Sequence, residues 1–434
     1  MTATALGIAG LAALFILLTL RMPVGIAMLL VGFVGFGFAN GWSSALALLA
    51  SEPFVISSNY NLIVIPLFIL MGNLATISGM SRDLYAAAYA WVGHWRGGLA
   101  SATIAACSGF AALSGSSVAA ALTMGQVALP EMRRYKYDPK LATGCIAAGG
   151  TLGILIPPST GFVIYAILTE ESIGRLFLAG VFPGLLLTAL FILAIYVQTR
   201  IKPELGPAGV AVSLGQRLRA TLNAGFMIGI VILTIGGIYA GVFTPTEAAG
   251  VGAFLALLLA LFRRKLSLDA ISPILLQSVR TTALVFLILI GAFVFSPFLA
   301  LTHFASNLLE IVTGFDLPAY VVLLLILSLY IVLGMFLEGF AMLVLTIPIV
   351  HPLILALGFD PIWFGVLIVI VLEMGLISPP VGVNVYVVKG IADDVSMGQI
   401  FLGILPFWIA MAVGLVILII FPQITLFLPN SMIE

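Results

Sequence analysis

"GILIPPSTG" at residues 153–161 and "GLISPPVG" at residues 375–382 each set two adjacent prolines inside a stretch otherwise apolar enough to cross a bilayer. Proline lacks an N–H and clashes with the preceding helical turn, and the residue before it is pushed away from helical dihedrals. Two prolines flanked by glycines should unwind about one turn of helix. In hydrocarbon, unpaired backbone groups are tolerated only where protein, water or a ligand satisfies them. Freed carbonyls suit a small hard cation, and half-helix N-termini suit an anion. A lone Pro-Pro could be a structural kink. Two of them point to ion and substrate sites at mid-membrane, one in each half of the chain.

The rest of the chain agrees with a membrane setting. Of its 434 residues, 62% are hydrophobic and only 8% charged, and the mean hydropathy is +1.27. A soluble domain carries about 25% charged residues, whereas segment after segment here reaches the ~20 apolar residues that span hydrocarbon. The fold class expected is an all-α polytopic membrane protein embedded in a lipid bilayer. The first apolar run, 5–20, continues through Arg21-Met22-Pro23 without a convincing cleavage site and reads as the first span. A net charge of zero argues against a nucleic-acid partner. Cys107 and Cys145 cannot make a four-ligand metal site, and His94, His303 and His351 form no zinc motif.

Positive charge collects in "EMRRYKYDPK" (131–140), in Arg200–Arg219 and in "FRRK" (262–265), which the positive-inside rule places in the cytoplasm. Spans near 5–20, 24–39 and 62–79 then bring Arg82 and Arg96 to that face. Residues 99–130 begin and end there, too short for two spans and a turn, so they read as a re-entrant hairpin with its tip at "SGSS" (114–117). The stretch 141–169 crosses outward through the first Pro-Pro and 175–199 returns. After spans at 218–241, 246–262 and 278–301, residues 318–357 form a second hairpin from the other face, its tip near "GMFLEG" (334–339). Residues 361–391 cross inward through the second Pro-Pro, and 398–421 ends outside. "EESIGRLFLAGVFP" (170–183) also matches "DDVSMGQIFLGILP" (393–406). The order hairpin, broken helix, full span thus occurs twice in opposite orientation, an inverted repeat.

The tips offer further ligands. Ser114, Ser116 and Ser117 bring hydroxyls, and Gly115 allows close backbone approach, although small residues also serve tight helix packing. At the second tip, between Gly334 and Gly339, Glu338 is either a coupling group or a solvated carboxylate. Glu373 lies inside a span, where it either relays protons or pairs with Lys389 or a backbone donor. Neither tip carries Arg or Lys, so a carboxylate substrate would be met by N–H groups, hydroxyls and bound cations.

An ordered set of stretches resembles the large membrane subunit of the tripartite ATP-independent periplasmic (TRAP) transporters, the DctM family, over essentially the whole chain. It includes "RMPVGIAML" (21–29), "IPLFILMGNLATISGM" (65–80), "GHWRGGLA" (93–100), "SGSSVAAALTMG" (114–125) and "GTLGILIPPS" (150–159). It continues through "GVFTPTEAAGVG" (241–252), "TIPIVHPL" (346–353) and "GLISPPVGV" (375–383). The resemblance implies an elevator-type carrier of the bacterial inner membrane that imports an organic acid, a C4-dicarboxylate, sialic acid or similar carboxylate, by cation symport. Sodium (Na+) at two sites is the expected ion, with a proton (H+) as the alternative. The implied partners are a small membrane subunit, expected here as a separate chain, and a periplasmic substrate-binding protein.

Carried over by motif, one sodium site would use Ser114 and Ser116 with carbonyls of Gly153, Ile156 and Pro158. A second would use Gly334, Gly375, Ser378 and Val381, and the substrate would sit near Ser117, Thr160 and Asn384. Glu338 and Glu373 are candidates for coupling. Ala120 stands where many members carry a polar residue, Ser378 where Thr is common and Glu373 where a neutral residue is usual. The transport units would be 99–172 and 318–397, with 1–98 and 173–317 as scaffold and 398–434 as a C-terminal helix. A stand-alone carboxylate symporter needing no binding protein is the alternative reading. An intramembrane serine protease built on Ser114-Gly115 is disfavoured, since no histidine falls near that serine, and an enzyme is not expected.

Overall fold

The computed structural model describes residues 3–315 and 317–432, and among them the chain is helical, without strands. Five helices come first: α1 (Ala3–Thr19), α2 (Val24–Asn40), α3 (Trp42–Ser57), α4 (Val64–Ser78, entered through a 3-10 turn at Tyr60–Ile63) and α5 (Met80–Val92). The first hairpin is α6 (Gly98–Ser114) with α7 (Ser117–Arg134), followed by the broken pair α8 (Pro139–Leu155) and α9 (Thr160–Thr169) and by α10 (Ile173–Ile201). Four helices, α11 (Leu214–Tyr239), α12 (Pro245–Phe262), α13 (Leu268–Leu301) and α14 (Phe304–Gly314), lead to the second hairpin, α15 (Ala319–Gly334) with α16 (Gly339–Ala356). The second broken pair is α17 (Pro361–Leu376) and α18 (Val383–Ile391), and α19 (Met397–Ile420) and α20 (Gln423–Asn430) close the chain.

Eight helical stretches among the described residues are long and apolar enough to cross a membrane. The leading hairpin arms are not: α6 has 17 residues and α15 has 16. At 1.5 Å per residue each reaches about 25 Å, short of a ~30 Å hydrocarbon core. That length fits arms that turn back part-way, while α16, with 18 residues, is one of the eight.

One helix was not foreseen. α3 fills the interval between the spans expected at 24–39 and 62–79, and it lies half-exposed along α2 and α13. Its sequence, "WSSALALLASEPFVIS", holds four serines, a glutamate and a proline, which hide it from a search for apolar runs.

The repeat extends to the caps. Ser116 and Glu338 cap α7 and α16, Asp138 and Asp360 cap α8 and α17 ahead of a proline, and Gly153 and Gly375 precede Pro157 and Pro379. Every pair is 222 residues apart (338 − 116, 360 − 138, 375 − 153, 379 − 157). Packing follows the same correspondence. α6 lies on α8 as α15 lies on α17, α7 meets α18 as α16 meets α9, and α19 lies on α8 as α10 lies on α17. A pseudo-two-fold relation thus joins the halves, with α8 against α17 at its centre. The two Pro-Pro bonds, Pro157-Pro158 and Pro379-Pro380, are both cis.

Candidate functional site

At the first break the helix stops for four residues, Ile156–Ser159, and the tip of the first hairpin fits against the gap. Gly115, at φ +57°, lets α6 turn into α7. A methyl group there would come 3.0 Å from the Pro158 carbonyl oxygen. Gly153 faces the tip from the other side, where an added Cβ would lie 2.5 Å from the Ser116 carbonyl oxygen. The Thr160 hydroxyl donates to the Gly115 carbonyl at 2.7 Å and so ties α9 to the tip. Ser116 caps α7 by accepting from the Ala119 N–H at 3.3 Å, and Ser159 caps α9 by accepting from the Phe162 N–H at 3.2 Å. The positive ends of two half-helices therefore sit side by side at the tip. The hydroxyl of Ser114 is buried and finds no hydrogen-bond partner among the described residues.

The second break runs over Ile377–Gly382 and differs in exposure. Pro379, Pro380 and Val381 lie at the surface, whereas Pro157, Pro158 and Ser159 are buried. Gly334 of the hairpin and Gly375 of α17 touch through their backbones: a Cβ on Gly375 would be 2.6 Å from the Cα of Gly334. Ser378 donates to the Met374 carbonyl at 2.6 Å and accepts the Trp408 indole N–H at 3.0 Å. Glu338 is surface-accessible and caps α16, accepting from the Ala341 N–H at 3.1 Å. The two arms are joined by the Tyr330 and Thr346 hydroxyls, 2.5 Å apart.

The halves meet at Glu373 and Ser117. Glu373 is 1% exposed, and Ser117, the first residue of α7, faces its carboxylate without closing a hydrogen bond. Neither carboxylate oxygen has a partner among the described residues, and neither amide atom of buried Asn384 has one. The pairing of Glu373 with Lys389 does not occur. The lysine curls over the end of α18 and donates to the carbonyls of Asp393 at 2.6 Å and Val395 at 2.9 Å. Both carbonyls lie in the loop just after α18, four and six residues along the chain from the lysine. In the first repeat the position of Glu373 is held by Thr151, which satisfies itself on the Ala148 carbonyl at 2.6 Å.

Two contacts escaped the sequence reading. Trp408 lies 30 residues beyond Ser378 on α19, and Tyr330 of α15 meets Thr346 of α16. A Trp or Tyr in an apolar helix must find a partner for its polar atom when buried, and that was the available signal.

Near the turn between α9 and α10, a cavity of about 560 Å³ is lined by Asn59, Asn61, Glu170, Glu171 and Thr246 among others. Burial holds the Glu171 carboxyl above its usual range, with Arg175 opposing and Asp360 adding to the rise.

A family model described as "Tripartite ATP-independent periplasmic transporter, DctM component" matches residues 11–424. The chain is 39% identical to the C4-dicarboxylate TRAP transporter large permease protein DctM of Pseudomonas aeruginosa, over 88% of this chain and 89% of that one. It is 34% identical to the sialic acid TRAP transporter large permease protein SiaM of Vibrio cholerae, over 95% of this chain and 96% of that one. Among solved structures it is similar to the YdaH transporter of Alcanivorax borkumensis, with a TM-score of 0.66 over 89% of this chain and 90% of that one. Their identity is 14%, so that likeness concerns the fold.

Proposed function

The chain belongs to the DctM component family of tripartite ATP-independent periplasmic transporters, multi-pass proteins of the bacterial inner membrane, and from that premise we propose that it imports a small organic acid by sodium symport through an elevator motion. A large permease of this family works with a small membrane subunit and a substrate-binding protein. The relatives named for C4-dicarboxylates and for sialic acid support a carboxylate as the substrate class.

The observation that carries the proposal is the meeting of both hairpin tips with both helix breaks, where Ser114, Asn384 and Glu373 hold buried polar atoms without partners among the described residues. Such atoms are costly unless a ligand completes them. Ser114, Ser116 and the carbonyls of Gly153, Ile156 and Pro158 would hold one sodium ion. Gly334, Gly375, Ser378 and Val381 would hold the other. The acid would lie across Ser117, Thr160 and Asn384, its charge met by the N-termini of α7 and α9.

The hairpins and broken helices, 99–172 and 318–397, would travel as one body. α10 and α19 pack on α8 and on each other, which supports counting both with that body.

The test is uptake of labelled acids into proteoliposomes holding this chain and its small subunit, with and without binding protein, under a sodium gradient or a proton gradient alone. Uptake that needs both sodium and binding protein is the expected result. Uptake without a binding protein would favour the stand-alone symporter, and uptake on protons alone would overturn the sodium assignment.

A further inference from the structure

On the face that the positive-inside rule assigns to the cytoplasm, the turn between α5 and α6 is pinned to the end of α10 and the segment after it. The Gly97 N–H donates to the Gly206 carbonyl at 2.8 Å, the Gly209 N–H donates to the Gly93 carbonyl at 2.9 Å, and the Thr199 hydroxyl reaches the Arg96 carbonyl at 3.4 Å. Between turn and helix lies a pocket of about 370 Å³ lined by Trp95, Arg96, Tyr196, Thr199 and Arg200. Trp95 and Tyr196 are 51% and 56% exposed. Among the described residues the guanidinium groups of Arg96 and Arg200 enter no ion pair. Toward the membrane interior α10 continues with exposed Leu185, Leu193 and Val197, along one face at multiples of four residues.

We propose that this pocket holds the phosphate of an anionic membrane phospholipid, with an acyl chain lying along the Leu185–Val197 face of α10. The guanidinium fork matches phosphate oxygens two at a time, and Arg is less heavily hydrated than Lys. Trp and Tyr settle at the headgroup level, where one end of the ring is wet and the other apolar. Two cations without an ion-pair partner among the described residues, set at headgroup depth, attract the anionic lipids around them. A free anion would use the arginines alone. The apolar face leading away from them is what selects a lipid. Because the pocket joins the turn before the first hairpin to the end of α10, an occupying lipid bridges two segments that flank the first broken helix.

Native mass spectrometry of the permease with its small subunit, titrated with phosphatidylglycerol or phosphatidylcholine, tests this. Phosphatidylglycerol should be retained preferentially, and Arg96→Gln and Arg200→Gln should each weaken it roughly fivefold, as expected for about one surface cation's worth of attraction. Arg96→Lys, which keeps the charge and loses the fork, should fall between wild type and Arg96→Gln. Inorganic phosphate at millimolar concentration should not displace the lipid. Equal retention of phosphatidylcholine, or retention unchanged in both glutamine variants, would overturn the proposal. Displacement by phosphate alone would make this a free-anion site, and loss of lipid whenever the small subunit is bound would make it a subunit interface. Either result also overturns it. A melting temperature unchanged by the substitutions shows that the variants are folded.

Discussion

Two serines, Ser114 at the first hairpin tip and Ser378 in the second helix break, have opposite bonding, and this separates their roles. The Ser114 hydroxyl has no partner among the described residues, so Ser114→Ala removes a candidate ligand and little else. Half-saturation by sodium should rise roughly fivefold, the effect of losing about 1 kcal/mol of a hydrogen-bond-strength contact, with the melting temperature almost unmoved. Ser378 accepts the Trp408 N–H. Ser378→Ala leaves that donor stranded in a partly buried site, at a cost of about 1–3 kcal/mol, so it should lower both the melting temperature and the sodium affinity. A thermal melt beside a sodium titration of uptake distinguishes the two patterns. Glu373 poses the coupling question most directly. Glu373→Gln keeps the shape and removes the charge, and sodium-driven uptake should survive it within about twofold. Loss of uptake together with loss of any proton-driven component would make this carboxylate the coupling group.

At the scale of elements, the fold depends on backbones that approach where side chains would not fit. A Cβ at Gly375 meets the Cα of Gly334, and backbone cannot swing aside as a flexible side chain can. Gly375→Ala should therefore cost about 1–3 kcal/mol as overpacking and push α15 off α17. Gly390→Ala, within α18 and with nothing within 4 Å, should not lower the melting temperature, since alanine favours the helix. Elements set by local rules could be read from the sequence: the Pro-Pro breaks, the hairpin tips and the outlines of the long spans all follow from proline, glycine and apolar runs. α3 could not, because a half-exposed helix with Ser51, Glu52 and Pro53 owes its conformation to packing on α2 and α13 rather than to its own composition. The candidate site divides in the same way. The glycines and hydroxyls near the breaks were visible as motifs, whereas the Trp408–Ser378 and Thr160–Gly115 bonds join residues 30 and 45 apart and depend on the assembled fold. Of the alternatives open for Glu373, pairing with Lys389 is the one the fold excludes, because that lysine donates to the carbonyls of Asp393 and Val395 just along the chain.

For the whole molecule, the proposed motion has a consequence that can be measured. The 560 Å³ cavity takes Asn59 and Asn61 from the entry to α4 on one side, and Glu170 and Glu171 from the turn after the first broken helix on the other. α4 packs on α12 and α13, helices outside both repeat units, while α9 packs on α16 of the other repeat. If the units slide as one body past α4, α12 and α13, the walls of this cavity must change their separation in every cycle. Asn61 and Glu170 are both exposed, and the native Cys107 and Cys145 are buried. A short bifunctional maleimide can therefore bridge Asn61→Cys to Glu170→Cys without reaching the native thiols. Bridging should arrest uptake in proteoliposomes, while each single-cysteine variant treated with the same reagent should keep most of its activity. Transport that continues at an undiminished rate across a completed bridge would mean that the two walls hold station. The alternating step would then have to lie in the hairpin tips alone, with Gly115 and the Glu338 cap as the points about which they open.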